Sequence, residues 1–342
     1  MSPTAPDEPP SALVPVVLGW DLEPDLTKRL PAPGSGAEWL GVPAAIDFTE
    51  TWRDRLAEAT GAPANFSWFL RMDPAIAALH GDAAWAANQF GVRLERLSGQ
   101  GDQTGLHTHG LRWDAGRSNW LVDHGNEAWM RDAVEGATAA YQEWQGRPSP
   151  IHRIGDRFLS NALLSDLERL GVEIDLTAEP GRRDQPALDP AEPHTGQLPD
   201  MSVMERLPYQ PSRSDFRRAS SSPADRHAIW EMPLASADYR PVTPHVGRLM
   251  RFLRYPGRPP YRQLPLSDRA FGGVRFWQLF EDDLLAMQPA CLTFALRSDQ
   301  ALDPGGRATI ADKLEALVSH PRARSMRFVT PARALEMAGL TG

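Results

Sequence analysis

One cysteine, Cys291, stands in a chain of 342 residues. A single thiol closes no intramolecular disulfide and supplies no thiolate cluster, which excludes a disulfide-stapled scaffold and a zinc ribbon. Its setting, Pro-Ala-Cys-Leu-Thr-Phe-Ala-Leu, reads as a buried strand. Reactive thiolates need polar, partly exposed surroundings, so Cys291 is expected in the core and not as a nucleophile. A basic surface is also missing: the formal net charge is -8, and no run of Lys and Arg is interleaved with aromatics. Nucleic acid is therefore not an expected partner. Apolar runs stop short of the ~18 residues needed to cross a bilayer, so no transmembrane segment is expected. Residues 1–10 carry acids and prolines where a secretory leader has basic residues and then an apolar stretch, and a cytoplasmic location is expected. There is no Gly-x-Gly-x-x-Gly after the first strand, no Walker A sequence and no Gly-x-Ser-x-Gly elbow. Dinucleotide, nucleoside-triphosphate and serine-hydrolase chemistries lose their support.

What the chain does have is a strand and helix alternation. Residues 1–12 have little apolar surface and are expected as a disordered tail, followed by one domain over 13–335 and a short C-terminal tail over 336–342. Leu13 to Trp20 is a continuous apolar run that suits a strand covered on both faces. Phe66 to Met72 is a second run of this kind. Helical spacing is expected over 51–60, 82–97, 127–145, 161–170, 276–287 and 308–319, and further strands over 152–154, 172–177, 228–233, 292–296 and 326–329. Between 179 and 225 the pattern dissolves into Pro, Gly, Ser and charge, as in a long irregular insertion that forms lids or binding loops. Alternation of this kind implies a mostly parallel sheet, closed or nearly closed into an α/β barrel.

Chemistry-bearing residues gather at two strand ends. His107 and His109 are two apart, and a strand points such a pair to one face at roughly 6.5–7 Å, so both imidazoles can converge on one metal. The apolar run from Leu13 ends in Asp21-Leu-Glu23-Pro-Asp25, where Asp21 and Glu23 share a face. Carboxyl ends of buried strands are where barrels place their active groups. One carboxylate can bind the ion and another act as a base.

These segments, in this order, resemble the polysaccharide deacetylase (NodB-homology, carbohydrate esterase) superfamily. Val17-Leu-Gly-Trp-Asp-Leu-Glu-Pro-Asp is similar to its acidic first motif, and Gly101-Asp-Gln-Thr-Gly-Leu-His-Thr-His-Gly to its histidine motif. Pro150-Ile-His-Arg-Ile-Gly-Asp-Arg resembles the third motif, and Ile229-Trp-Glu-Met-Pro a later Glu-x-Pro strand. The resemblance spans about residues 13–335 and implies a distorted (β/α) barrel of the polysaccharide-deacetylase type. It implies hydrolysis of an acyl group, an N-acetyl group first of all, from a sugar, glycoconjugate or related small amide. It also implies one divalent transition metal, zinc first, with cobalt, nickel or iron as alternatives.

In that reading Asp21 is the base, Arg153 orients it, and His107, His109, Glu23 or Asp25 hold the metal. Trp113 and Trp120 follow the histidines and suit a sugar face, while Asp175 and Glu231 are further substrate-binding candidates. Two departures stand out. The family's second histidine lies four residues after the first, where this chain has Leu111. Its late histidine, which protonates the leaving amine, is replaced by Arg297, and a guanidinium gives up no proton near neutral pH. Three readings stay open: His152 or His245 supplies the proton, Arg297 stabilises an oxyanion or binds an anionic substrate group, or activity is lost. The corresponding alternatives in function are a silent carbohydrate- or partner-binding protein and a two-carboxylate glycoside hydrolase.

Overall fold

The computed structural model describes residues 13–25, 30–187, 192–238 and 261–341. The expected tail over 1–12 and the candidate His245 lie outside the described residues.

Nine consecutive buried residues make the first strand, β1 (Val14–Leu22). It is followed by helix α1 (Gly41–Thr60) and strand β2 (Ser67–Arg71). Helices α2 (Pro74–His80) and α3 (Trp85–Gly99) lead to β3 (Gln103–Thr108). A hairpin of β4 (Leu111–Asp114) and β5 (Asn119–Asp123) intervenes before α4 (Glu127–Gln145). Next come β6 (Ile151–Ile154), α5 (Asn161–Arg169) and the two-residue β7 (Ile174–Asp175). Among its described residues the expected irregular stretch holds the short β8 (His194–Thr195), which pairs with β5, and a 3-10 turn over Pro223–Asp225, before β9 (Trp230–Glu231). Strands β10 (Ser236–Asp238) and β11 (Tyr261–Gln263) form an antiparallel pair. The chain closes with α6 (Gly273–Glu281), β12 (Leu292–Arg297), α7 (Asp299–Leu302), α8 (Pro304–Val318), β13 (Met326–Phe328) and α9 (Pro331–Met337).

The sheet is parallel throughout and runs β12-β1-β2-β3-β6-β7-β9, with β13 also on β1. Its two ends meet where Ala235, just past β9, donates its N–H to the carbonyl of Thr293 on β12. Register then builds a belt at the carboxyl ends. Asp21 lies beside Arg297, Arg71 beside His107, and His107 beside Arg153.

Strand alternation sorts the two faces. Outward residues such as Trp20, Leu22, Trp68, Leu70, Leu106 and Phe294 pack with Val42, Ile46, Leu94 and Phe276 of the helices in the main core. Each such side chain contributes ~1.5–3 kcal/mol by leaving water. Inward residues form a second, smaller core at the amino ends: Val17, Phe69, Ile151, Ile174 and Cys291, closed below by Ala334 and Leu335 of α9. Cys291 is thus a core residue, and burial pushes its thiol up to about 12. The helix over 127–145 falls on the expected bounds. The β4–β5 hairpin was not expected, and β7 and β9 are shorter than the strands expected there. Glycine matters at Gly105, where a Cβ would lie 2.4 Å from Ile151 Cγ1 and force β3 and β6 apart.

Candidate active site

Above the inner apolar floor, the same inward column turns polar. Asp21, Glu23, His107, His109, Arg153 and Arg297 line one cavity of about 490 Å³ at the carboxyl ends of the strands.

His107 Nδ1 lies 2.9 Å from the backbone carbonyl of Arg153. A carbonyl only accepts, so the ring carries its proton on Nδ1 and presents a lone pair at Nε2. Burial pushes His107 down to about 4, so the ring is neutral at pH 7. His109 is oriented in the same sense by the carboxylate of Asp156, 3.3 Å from Nδ1. Its ring fits because residue 155 is glycine: a Cβ there would lie 2.1 Å from His109 Cε1 and 2.2 Å from Nε2. Asp156 and Arg157 then take left-handed backbone, with φ of 58° and 59°. Such residues cost ~1–2 kcal/mol each, held here by the surrounding contacts.

The two Nε2 atoms stand 3.0 Å apart, and Glu23 Oε2 is 3.2 Å from His109 Nε2 and 3.9 Å from His107 Nε2. Donors ~2.1 Å from a single ion would be spaced ~3.0–3.4 Å apart; the His107–His109 and His109–Glu23 separations lie in that range and the His107–Glu23 separation is longer, so this buried mixed N/O set could hold a borderline divalent metal once Glu23 shifts toward His107. A proton on His109 Nε2 can also be shared with His107 Nε2 and Glu23 Oε2. Burial and Arg71 oppose protonation of His109, but Asp156 and Glu23 outweigh them and push it up to about 9. Glu23 is held well below the ordinary carboxylate range: burial works against this, and His109, Arg297 and His107 prevail.

Asp21 accepts from Arg153 Nε at both oxygens, 3.1 and 2.9 Å, while Arg153 Nη1 donates to the carbonyl of Leu176 at 2.9 Å. The arginine is thereby fixed at two points and aims the carboxylate. Arg297 lies with Nε 3.1 Å from Glu23 Oε1 and Nη2 2.6 Å from Asp299. It is 39% exposed and faces the cavity.

Several expected site residues lie elsewhere. Asp25 lies apart from the cluster of Glu23, His107 and His109: its oxygens accept from the N–H groups of Leu40 and Gly41, at 2.7 and 2.9 Å, at the start of α1. His152 cannot reach the cavity, because it precedes the inward Arg153 and so points outward. It is buried between Thr108 Oγ1, 2.9 Å from Nε2, and Asp175, 2.6 Å from Nδ1. Asp175 and Glu231 share that outer face, are fully buried and do not line the cavity. Burial beside Asp175 pushes Glu231 well above the usual carboxylate range. Trp113 and Trp120 face each other across the β4–β5 hairpin, with Trp120 Nε1 donating to Pro31, and neither lines the cavity.

Three contributors were missed. Arg71 donates to Asp73 at 2.8 Å and lies 3.4 Å from Glu23. Asp73 also accepts from the N–H of His109 and caps α2 through the N–H of Ala75. Asp156 is the third. The signal for the first two was the polar end of β2, read by the same rule as the end of β1.

No protein-family model matches the sequence, and no curated protein matches it. Solved structures do. A structure described as a probable polysaccharide deacetylase from Pseudomonas aeruginosa superposes with a TM-score of 0.51 at 15% identity, covering 98% of this chain and 94% of that one. One described as a glycoside hydrolase/deacetylase from Parabacteroides distasonis gives a TM-score of 0.51 at 12% identity, covering 96% and 71%. The likeness is one of fold: the chain has the distorted (β/α) barrel of the polysaccharide-deacetylase type.

Proposed function

We propose that this chain is a metal-dependent hydrolase that removes an acyl group, an N-acetyl group first of all, from a sugar, glycoconjugate or related small amide. The observation that carries the reading is the convergence of Glu23, His107 and His109 within 4.8 Å beside the carboxylate of Asp21, whose Oδ1 lies 3.8 Å from His107 Nδ1. Glu23, His107 and His109 would hold the ion, zinc first by its donor set. When bound, the ion supplies Lewis acidity to the acyl carbonyl and acidifies water.

Asp21 takes a proton from the attacking water as its oxygen bonds to the acyl carbon. Arg153 keeps Asp21 aimed while its charge changes. The C–N bond then breaks, and the departing nitrogen needs a proton. Arg297 holds its own too tightly to give one, and His152 is walled off, so Asp21 returns the proton it took. The products are a carboxylic acid and a free amine. Arg297 stands beside the acyl group as a fixed donor to developing negative charge.

Metal content and acetate release on N-acetylated amines test the proposal together. Wild type is expected to hold close to one zinc, cobalt or nickel per chain and to release acetate. His107→Ala should lose both, whereas Asp21→Asn should keep the metal and lose ~10²–10⁴-fold in rate. A wild-type protein that takes up no ion at these residues would end the metal reading. Tight metal with no hydrolysis would leave a silent, ligand-binding barrel.

A further inference from the structure

Around Asp21 and Glu23 each guanidinium has a carboxylate of its own, Arg153 with Asp21, Arg71 with Asp73 and Arg297 with Asp299; Arg71 and Arg297 also reach Glu23, and each keeps one buried nitrogen without a hydrogen-bond partner. Arg157 has no carboxylate to itself. Arg157 and Arg182 both line the cavity and share Glu179, 3.2 Å from Arg182 Nε and 3.9 Å from Arg157 Nε. Arg182 also donates to Gln263 at 3.3 Å. Among the described residues Arg157 has no other ion pair, and its Nε is buried without a hydrogen-bond partner. Its side chain is 10% exposed.

We infer that Arg157, with Arg182, binds an oxyanion, a carboxylate or a phosphate, borne by the substrate away from the acyl group that is cleaved. The word substrate rests on the hydrolase reading above; the anion site itself does not. A buried guanidinium with an unpaired N–H is costly unless a partner arrives. Its planar fork matches the paired oxygens of a carboxylate or phosphate. Burial and Arg182 push Arg157 below the usual arginine range, against Glu179 and Asp156. Arg182, 46% exposed, sits at the rim where an incoming anion meets it first. Position is set by one tripeptide: Gly155 seats His109, Asp156 orients it, and Arg157 follows in left-handed backbone. The anion wall is thereby tied to the histidines by consecutive residues.

The test is calorimetric titration of the full chain with inorganic phosphate and, separately, with succinate. Wild type is expected to bind one of them saturably at one per chain. The tighter probe identifies the group as phosphate or carboxylate. Binding should persist in His107→Ala, because the arginines and not the metal hold the anion, and weaken at least tenfold in Arg157→Gln. Arg157→Lys should retain part of it. Arg157→Gln must keep wild-type metal content and melting behaviour. If it fails to fold, Arg182→Gln carries the same test with a smaller loss. No binding of either probe, or binding that vanishes in His107→Ala yet is unchanged in Arg157→Gln, overturns the inference. Metal content measured alongside separates this failure from that of the hydrolase reading.

Discussion

At the carboxyl ends of β3 and β6 the two faces of the sheet carry the same kinds of residue to opposite ends. On the inner face His107 and His109 meet Glu23, Asp21 and Asp156. On the outer face His152 lies 2.6 Å from Asp175, with Glu231 alongside. Both clusters are buried and both pair imidazole with carboxylate. They differ in what remains unused. Inside, Nδ1 of each histidine is engaged by an acceptor and Nε2 is directed at the other donors over a cavity. Outside, both nitrogens of His152 are spent, on Thr108 and Asp175. A histidine becomes a candidate ligand through the atom its neighbours leave over, and strand parity decides which neighbours it has.

The comparison breaks most sharply at Gly155. Gly155→Ala places a methyl 2.1 Å from the His109 ring and should displace that ligand. Metal affinity is expected to fall ~10–100-fold, the range seen when support of a ligand is lost. Competition against a fluorescent zinc chelator measures this, and unchanged affinity would mean that His109 is no ligand.

A smaller effect comes from pH. His109 is pushed up to about 9 by Asp156 and Glu23 against burial and Arg71, so below that pH the ion must displace a proton. Apparent affinity should rise about tenfold per pH unit up to about pH 9 and then level off. The sign for the metal-free fold is opposite: the raised value stabilises it below the ordinary histidine range, and that stability is lost as pH rises through about 9. Calorimetry in buffers of different ionisation enthalpy should count close to one proton released per ion at pH 7. A count of zero would place a neutral His109 in the metal-free site.

The smallest effect on the site should come from the outer face. His152→Ala strips Thr108 and Asp175 of their partner and is expected to cost ~1–3 kcal/mol of stability in urea unfolding, with metal content unchanged. Loss of metal without loss of stability would undo the division between the faces.

Much of the barrel was legible because its signal is local. The run Val14–Leu22 is buried on both faces and reads as a central strand, and His107, His109, Asp21 and Glu23 follow from period-two spacing at strand ends. The same parity, applied to Ile-His-Arg-Ile, would have sent His152 outward once Arg153 was read as inward. Asp25 misled because a loop acid next to two site acids gives no local sign that it serves the start of α1, 15 residues on. Trp113 and Trp120 lie away from the cavity because they sit on a hairpin of four- and five-residue strands, one half-buried and one mostly buried, neither of which alternates in burial. Arg157 was beyond reach: its isolation depends on Glu179 and Arg182 arriving from a stretch with no period at all.

Cys291, Thr293, Ala295 and Arg297 alternate along β12, so the chain's one thiol belongs to the same inward column as the site. Six residues of strand put it ~20 Å below Arg297, under an apolar floor and with its proton firmly held. Soft ions that seek a thiolate therefore find none at the mouth. Competition among metals is left to nitrogen and oxygen donors, which favours borderline ions over monovalent copper. Alkylating reagents, by the same token, should find Cys291 out of reach and leave metal uptake unchanged.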